Sequence, residues 1–283
     1  MEFGIATLPT DRGIRPDALA RATEERGFES LWFGDHSHIP ASRATPWPGG
    51  AELPEAYYRL LSPVVALASA AAATRHLLLG TGVLLAAQRD PFHTAKELAT
   101  LDLLSGGRLL VGVGAGWNAE EMRNHGTDPA TRGRLLEERV QAVTALWTQE
   151  RAAFHGSLVG FDEVFAWPKP VQQPRPPIHV GGAFPVALDR ALRIGDGWMP
   201  MANRGDTDFA AHLRELPARA EKAGRPVQGF EVSIYNAPRD AGALERLQAL
   251  GVHRALFVVA AAEEDRTLRF LDGLARLVDE VSP

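Results

Sequence analysis

Short apolar runs alternate with longer amphipathic segments along the whole chain. The runs are Phe3–Leu8, Ser30–Gly34, Leu78–Leu85, Leu109–Gly114, Ile178–Gly181, Gly197–Pro200, Glu231–Tyr235 and Ala255–Val259. Each is too short for a free-standing helix, and several are apolar at nearly every position, as strands covered on both faces are. Between the runs, apolar residues recur every three or four positions. Leu136, Val140, Val143 and Trp147 form one such stripe within 131–149, and Leu268, Leu271, Ala275 and Val278 form another near the C-terminus. A helix over 15–27 opens on Arg15-Pro16-Asp17 and stops at Gly27, a residue suited to the turn that ends a helix. Further helices are expected at 62–75, 92–104, 185–194, 207–223 and 241–250, with Gly106-Gly107, Gly195 and Gly251 closing three of them.

Eight strand–helix units in 283 residues point to an α/β fold, a (β/α)8 TIM barrel occupying residues 1–283 as one domain. A doubly wound sheet is the alternative, because periodicity does not reveal closure. The proline-rich stretch from Ala152 to Pro177 reads as a long extended insertion between the fourth helix and the fifth strand. The loop 37–60, with Pro40, Pro46, Pro48, Gly49, Gly50 and Pro54, is long for a strand-to-helix connection and reads as a lid or contact surface.

Composition narrows the function. With 45% hydrophobic and 23% charged residues, disorder is excluded. The absence of cysteine removes disulfides, thiolate metal sites and Cys nucleophiles. A formal charge of −5 argues against nucleic acid as the main partner. No stretch is apolar enough for a membrane span and the N-terminus carries no secretory pattern, so a cytoplasmic enzyme acting on a small-molecule substrate is expected.

In a closed barrel the chemistry gathers at the carboxyl ends of the strands. That rule selects Asp35, His36 and His38 after the second strand, Gly82, Val83 and Gln88 after the third, and Trp117 and Asn118 after the fourth. Gly181 and Gly182 follow the fifth, and Asn203 and Asn236 the sixth and seventh. Neighbouring side chains on a strand point oppositely, so Asp35 and His36 can serve two different groups, or Asp35 can simply bind loop amides. Histidine suits proton transfer near neutral pH. Asn118 reads either as a donor to a ligand carbonyl or as the cap of a helix starting at Ala119. Gly112-x-Gly114-x-Gly116 lacks the spacing of a dinucleotide fingerprint; a tight turn beside a bound ring accounts for it better. Gly181-Gly182 ahead of Pro185 leaves backbone amides for a phosphate. His36-x-His38 raises a metal-dependent hydrolase, but Lys96, Lys169 and Lys222 stand at no strand end and His179, His212 and His253 do not converge, so no metal is expected.

Several blocks carry a resemblance. Leu31-Trp-Phe-Gly-Asp-His36, Leu79-Gly-Thr-Gly-Val83, Leu101-Asp-Leu-Leu-Ser-Gly-Gly-Arg108, Gly112-Val-Gly-Ala-Gly-Trp117 and Ile194-Gly-Asp-Gly-Trp198 resemble, in order, motifs of the luciferase-like oxidoreductase superfamily. The likeness is closest to its coenzyme F420-dependent branch. It implies a barrel whose mouth holds the deazaflavin, with a non-prolyl cis peptide at Gly82–Val83 behind the ring. It further implies His36 as the proton-handling catalytic residue, with Asp35, Asn118, Gly181 and Gly182 also binding the cofactor. Leu8, His38, Tyr57, Tyr58 and Trp117 are the expected pocket lining. An FMN-dependent monooxygenase using oxygen is the alternative within the family, and a cofactor-binding or scaffold member without catalysis is a third reading. The resemblance also implies a homodimer and, where the cofactor is recycled in trans, a flavin or F420 reductase as partner.

Overall fold

The computed structural model describes residues 1–50, 52–202 and 208–281. Asn203 and the first residue of the expected helix 207–223 lie outside the described residues. Eight parallel strands close into a ring. They are β1 (Glu2–Thr7), β2 (Ser30–Phe33), β3 (Leu78–Thr81), β4 (Leu109–Val113), β7 (Ile178–Gly181), β8 (Gly197–Met199), β9 (Glu231–Tyr235) and β10 (Arg254–Val259). Closure comes from β1, whose Glu2 to Thr7 pair in register with Arg254 to Val259 of β10. The open-sheet alternative is thereby excluded.

Helices α1 (Pro16–Glu25), α2 (Pro63–Ala73), α3 (Pro91–Ser105), α5 (Arg132–Thr148), α6 (Val186–Ile194), α7 (Phe209–Lys222), α8 (Ala241–Ala249) and α9 (Glu264–Val281) surround the ring. Two features lie within the sequence gaps: one was not expected, and the other answers the reading of Asn118 as a helix cap. The insertion after α5 is not simply extended: β5 (Ala152–His155) and β6 (Gly160–Val164) pair antiparallel as a hairpin. A six-residue helix, α4 (Ala119–Asn124), follows β4 and carries much of the site. Gly106 (φ 70°) and Gly251 (φ 80°) adopt the left-handed turn expected of them, but Gly195 is extended. Its constraint is space, since a Cβ there would lie 2.9 Å from the Ile178 carbonyl oxygen.

Inside the ring, Ala6, Trp32, Leu110, Met199 and Leu256 pack together. Trp32 is fully buried on the axis and dictates small residues around it. A Cβ on Gly80 would sit 2.1 Å from its indole. At the amino-terminal end the ring is clasped by charge. Arg254 donates to Glu29 at 2.7 and 2.6 Å, to Glu231 at 2.9 Å and to the Ser233 hydroxyl at 3.1 Å. Chemistry is left to the opposite end.

Candidate active site

His36 stands just past the end of β2, buried, with both ring nitrogens engaged. Its Nδ1 lies 2.6 Å from a carboxylate oxygen of Glu121, and its Nε2 accepts the indole N–H of Trp117 at 3.1 Å. An indole N–H only donates, so Nε2 carries the lone pair and the proton resides on Nδ1, shared with Glu121. The imidazole is thus held as a base with a carboxylate behind it.

Glu121 gets there through α4. Asn118 caps this helix, its side-chain oxygen accepting the Glu121 amide at 3.4 Å. This is a capping box, Asn-x-x-Glu, in which the acidic residue turns to the chain before the helix. Here the carboxylate instead crosses to the β2 loop, where it takes the Ser37 amide at 3.1 Å as well as His36. Glu121 did not figure among the sequence candidates; the capping-box spacing beside Trp117 was the available signal. Asn118 keeps its Nδ2 fully buried with no partner, so the capping reading holds for its oxygen while its N–H groups remain to be satisfied. Gln88 Nε2, beneath the Gly116 turn, is likewise buried and unpaired.

Asp35 does what its loop-binding reading required. Its Oδ2 accepts the Leu85 amide at 3.0 Å and faces the Arg89 guanidinium at 3.7 Å. Burial pushes its carboxyl above the ordinary range despite the Arg89 charge and the Leu85 amide. The side chain ties the end of β2 to the segment after β3.

The peptide between Gly82 and Val83 is cis. Val83 wedges between the ends of β4 and β7: added Cβ atoms on Gly114 and Gly181 would lie 2.6 and 2.9 Å from its methyl groups. Gly112 is confined by the Thr81 carbonyl oxygen, 2.0 Å from where its Cβ would be. These glycines therefore answer to the barrel's own packing, and only Gly116 (φ 77°) makes the left-handed turn. Gly182 is exposed, but its amide is not free, because it donates to the Met199 carbonyl at 3.2 Å.

The described residues of loop 37–60 fold back over His36. Tyr57 and Trp117 pack against the imidazole at centroid distances of 5.3 and 5.6 Å, and Trp47 packs on Tyr57 at 5.7 Å. Glu120 tethers the loop by accepting the Thr45 hydroxyl at 2.6 Å and the amides of Ala44 and Thr45. Of the expected pocket residues, Tyr57 and Trp117 join His36, and Leu8 lies against Gly34 close to the Gly82 carbonyl. Tyr58 does not: it is 58% exposed, on a surface recess with Asp11, Glu55 and Arg59. His38 turns to α4, within 2.9 Å of the Asn124 amide nitrogen. With Glu121 and His125 it forms a group whose nitrogen and oxygen atoms lie within 4.8 Å of one another. The Ser37 hydroxyl takes the middle of that group, 2.8 Å from His38 Nδ1 and 2.6 Å from His125 Nε2.

A family model described as luciferase-like monooxygenase matches residues 1–267. The chain belongs to the luciferase-like monooxygenase family. Within it, the chain is 39% identical over 280 residues to an uncharacterized protein of Mycobacterium tuberculosis, covering 97% of this chain and 98% of that one. It is 32% identical over 221 residues to an F420-dependent glucose-6-phosphate dehydrogenase of Nakamurella multipartita, covering 73% of this chain and 58% of the relative. It is also 34% identical over 154 residues to an FMNH2-dependent dimethylsulfone monooxygenase of Pseudomonas putida, with 53% and 42% covered. The fold matches the monooxygenase RslO1 of Streptomyces bottropensis, with a TM-score of 0.81 at 22% identity over all of both chains. It also matches an F420-dependent secondary alcohol dehydrogenase, with a TM-score of 0.77 at 18% identity over 100% of this chain and 99% of that one. Relatives in this family are thus oxidoreductases and monooxygenases that use F420 or FMNH2. No helix among the described residues is long and apolar enough to cross a membrane.

Proposed function

We propose that this chain is an oxidoreductase that binds coenzyme F420 at the carboxyl ends of its strands and interconverts a small alcohol-type substrate with its carbonyl form. The observation that carries the reading is the buried His36–Glu121 pair beside those strand ends. The F420-dependent relatives support the choice of deazaflavin. Bound there, the deazaflavin supplies a ring carbon that takes or gives a hydride. The residues present fit such a ring: the unpaired Asn118 and Gln88 amides are donors in want of acceptors, and ring carbonyls are acceptors. Val83 would support one ring face.

The chain's own part is to move a proton. As a substrate hydroxyl approaches His36 Nε2, it replaces the Trp117 indole N–H and gives its proton to that nitrogen. Glu121 balances the charge of the resulting imidazolium and fixes the ring through Nδ1. Tyr57, Trp47 and Trp117 keep water from the pair.

The test is titration of the purified protein with F420 and with FMN, followed by fluorescence. Micromolar binding of F420 alone, with reduction of the bound cofactor by a panel of secondary alcohols, is the expected result. Binding of FMN alone overturns it in favour of the oxygen-using reaction that the Pseudomonas putida relative's name describes.

A further inference from the structure

The hydrogen bonds around His36 do not end at Glu121. The carboxylate oxygen turned away from the imidazole lies 3.5 Å from the Ser37 hydroxyl, which lies 2.6 Å from Nε2 of His125. Both Ser37 and His125 are exposed, whereas His36 and Glu121 are buried. The polarity of this line turns on Ser37, whose single proton goes either to His125 at 2.6 Å or to the Glu121 carboxylate at 3.5 Å. Asn124 meets His38 at Nε2, so His38 donates from Nδ1 to Ser37, and Ser37 is left to donate to His125.

We infer that Ser37 and His125 are the outlet through which the His36–Glu121 pair exchanges its proton with solvent. A proton accepted at His36 Nε2 releases the Nδ1 proton to Glu121. The carboxyl turns and passes it to Ser37 Oγ as the Ser37 hydroxyl proton moves onto His125 Nε2, and His125 gives up its Nδ1 proton to water. One proton enters, one leaves, and nothing is oxidised. After the product leaves, His36 and His125 each lose the Nε2 proton and regain one at Nδ1 by exchange with water, which restores the start with no further net change in protons. Partial burial of the ring holds the His125 pKa below the ordinary value, against Glu121 on its own helix and Asp35 at the end of β2, so the ring rests neutral with a nitrogen open to Ser37 and releases a proton readily to water. The Arg89 charge acts in the same direction as burial. Neither Ser37 nor His125 touches the substrate position; both are positioning residues.

This inference rests on His36 being the proton-handling residue of the proposed reaction, but its test needs no cofactor. In the cofactor-free protein labelled with 15N-histidine, solvent exchange of the His36 Nδ1 proton is measured by NMR. Ser37→Ala and His125→Gln are expected to slow it by roughly tenfold or more. Ser37→Thr, which retains a hydroxyl, is expected to keep it fast. Added imidazole is expected to restore exchange in His125→Gln and not in Ser37→Ala. Unchanged exchange in either Ser37→Ala or His125→Gln, or exchange too fast to follow in Ser37→Ala, overturns the outlet. F420 binding is read separately, so failure of either idea leaves the other standing.

Discussion

His36 has its protonation fixed by its neighbours: an indole that can only donate on one side and a carboxylate on the other. Removing either function has a defined outcome. His36→Ala and Glu121→Gln should each lower turnover by roughly 100-fold while leaving the cofactor dissociation constant within a factor of about two, as steady-state rates and fluorescence titration would show. A second buried histidine behaves differently. His179 lies fully inside the barrel edge-on to Trp32, with neither ring nitrogen hydrogen-bonded, and burial pushes its pKa down to about 4 from 6.5. Glu231, 3.6 Å away, does not outweigh that burial. Folding therefore favours the neutral ring, and the stability this provides is complete above pH 6.5 and fades as pH falls toward 4. Denaturant titrations should show a loss on the order of 3 kcal/mol across that interval, with His179→Leu lacking this component. At this scale the sequence was only partly legible. The Asp35-His36 pair was visible as chemistry, but the carboxylate behind His36 was not. Asp35 is spent on Leu85 and Arg89, and the acid that serves His36 stands 85 positions away on another strand's helix.

Among the elements, α4 concentrates three tasks in six residues: Asn118 caps it, Glu120 holds the loop 37–60, and Glu121 holds His36. Hydrogen bonds from Thr45 and its neighbours hold the Glu120 carboxyl at about 2, below its ordinary 4.5. The tether is therefore intact above pH 4.5 and is lost as pH falls toward 2. Limited proteolysis should find the loop cut faster below pH 4, and Glu120→Gln should be cut faster even at pH 7. Glycines of the strand ends test a different constraint. Gly112→Ala must push a methyl into the Thr81 carbonyl, so it should cost about 2–4 kcal/mol in denaturant midpoint measurements or prevent folding. Gly106→Ala, left-handed but with open space around it, should cost only about 1 kcal/mol. The eight barrel strands and the helices behind them were legible because periodicity reports burial directly. The β5–β6 hairpin was not, since strands of four and five residues are too short to show a period, and α4, six residues long, showed only through Asn118 as its candidate cap.

For the whole molecule, closure is the event that order along the chain could not announce. It is made by β1 against β10, more than two hundred residues apart, and reinforced where Arg254 draws Glu29 and Glu231 together. Glu231 remains about a third exposed, which tempers the effect of breaking the cluster. Arg254→Ala should still lower unfolding free energy by about 2 kcal/mol, read from the urea midpoint, by leaving Glu29 with a charge and no counterpart.

The charges that clasp the staves sit at the far end from the chemistry, and that separation has an evolutionary consequence. Cohesion is secured at the base, so the rim is free to be rewritten. Residues 37–60 can drift toward new substrates without first renegotiating whether the barrel holds together, and a lineage can change its trade while keeping its vessel.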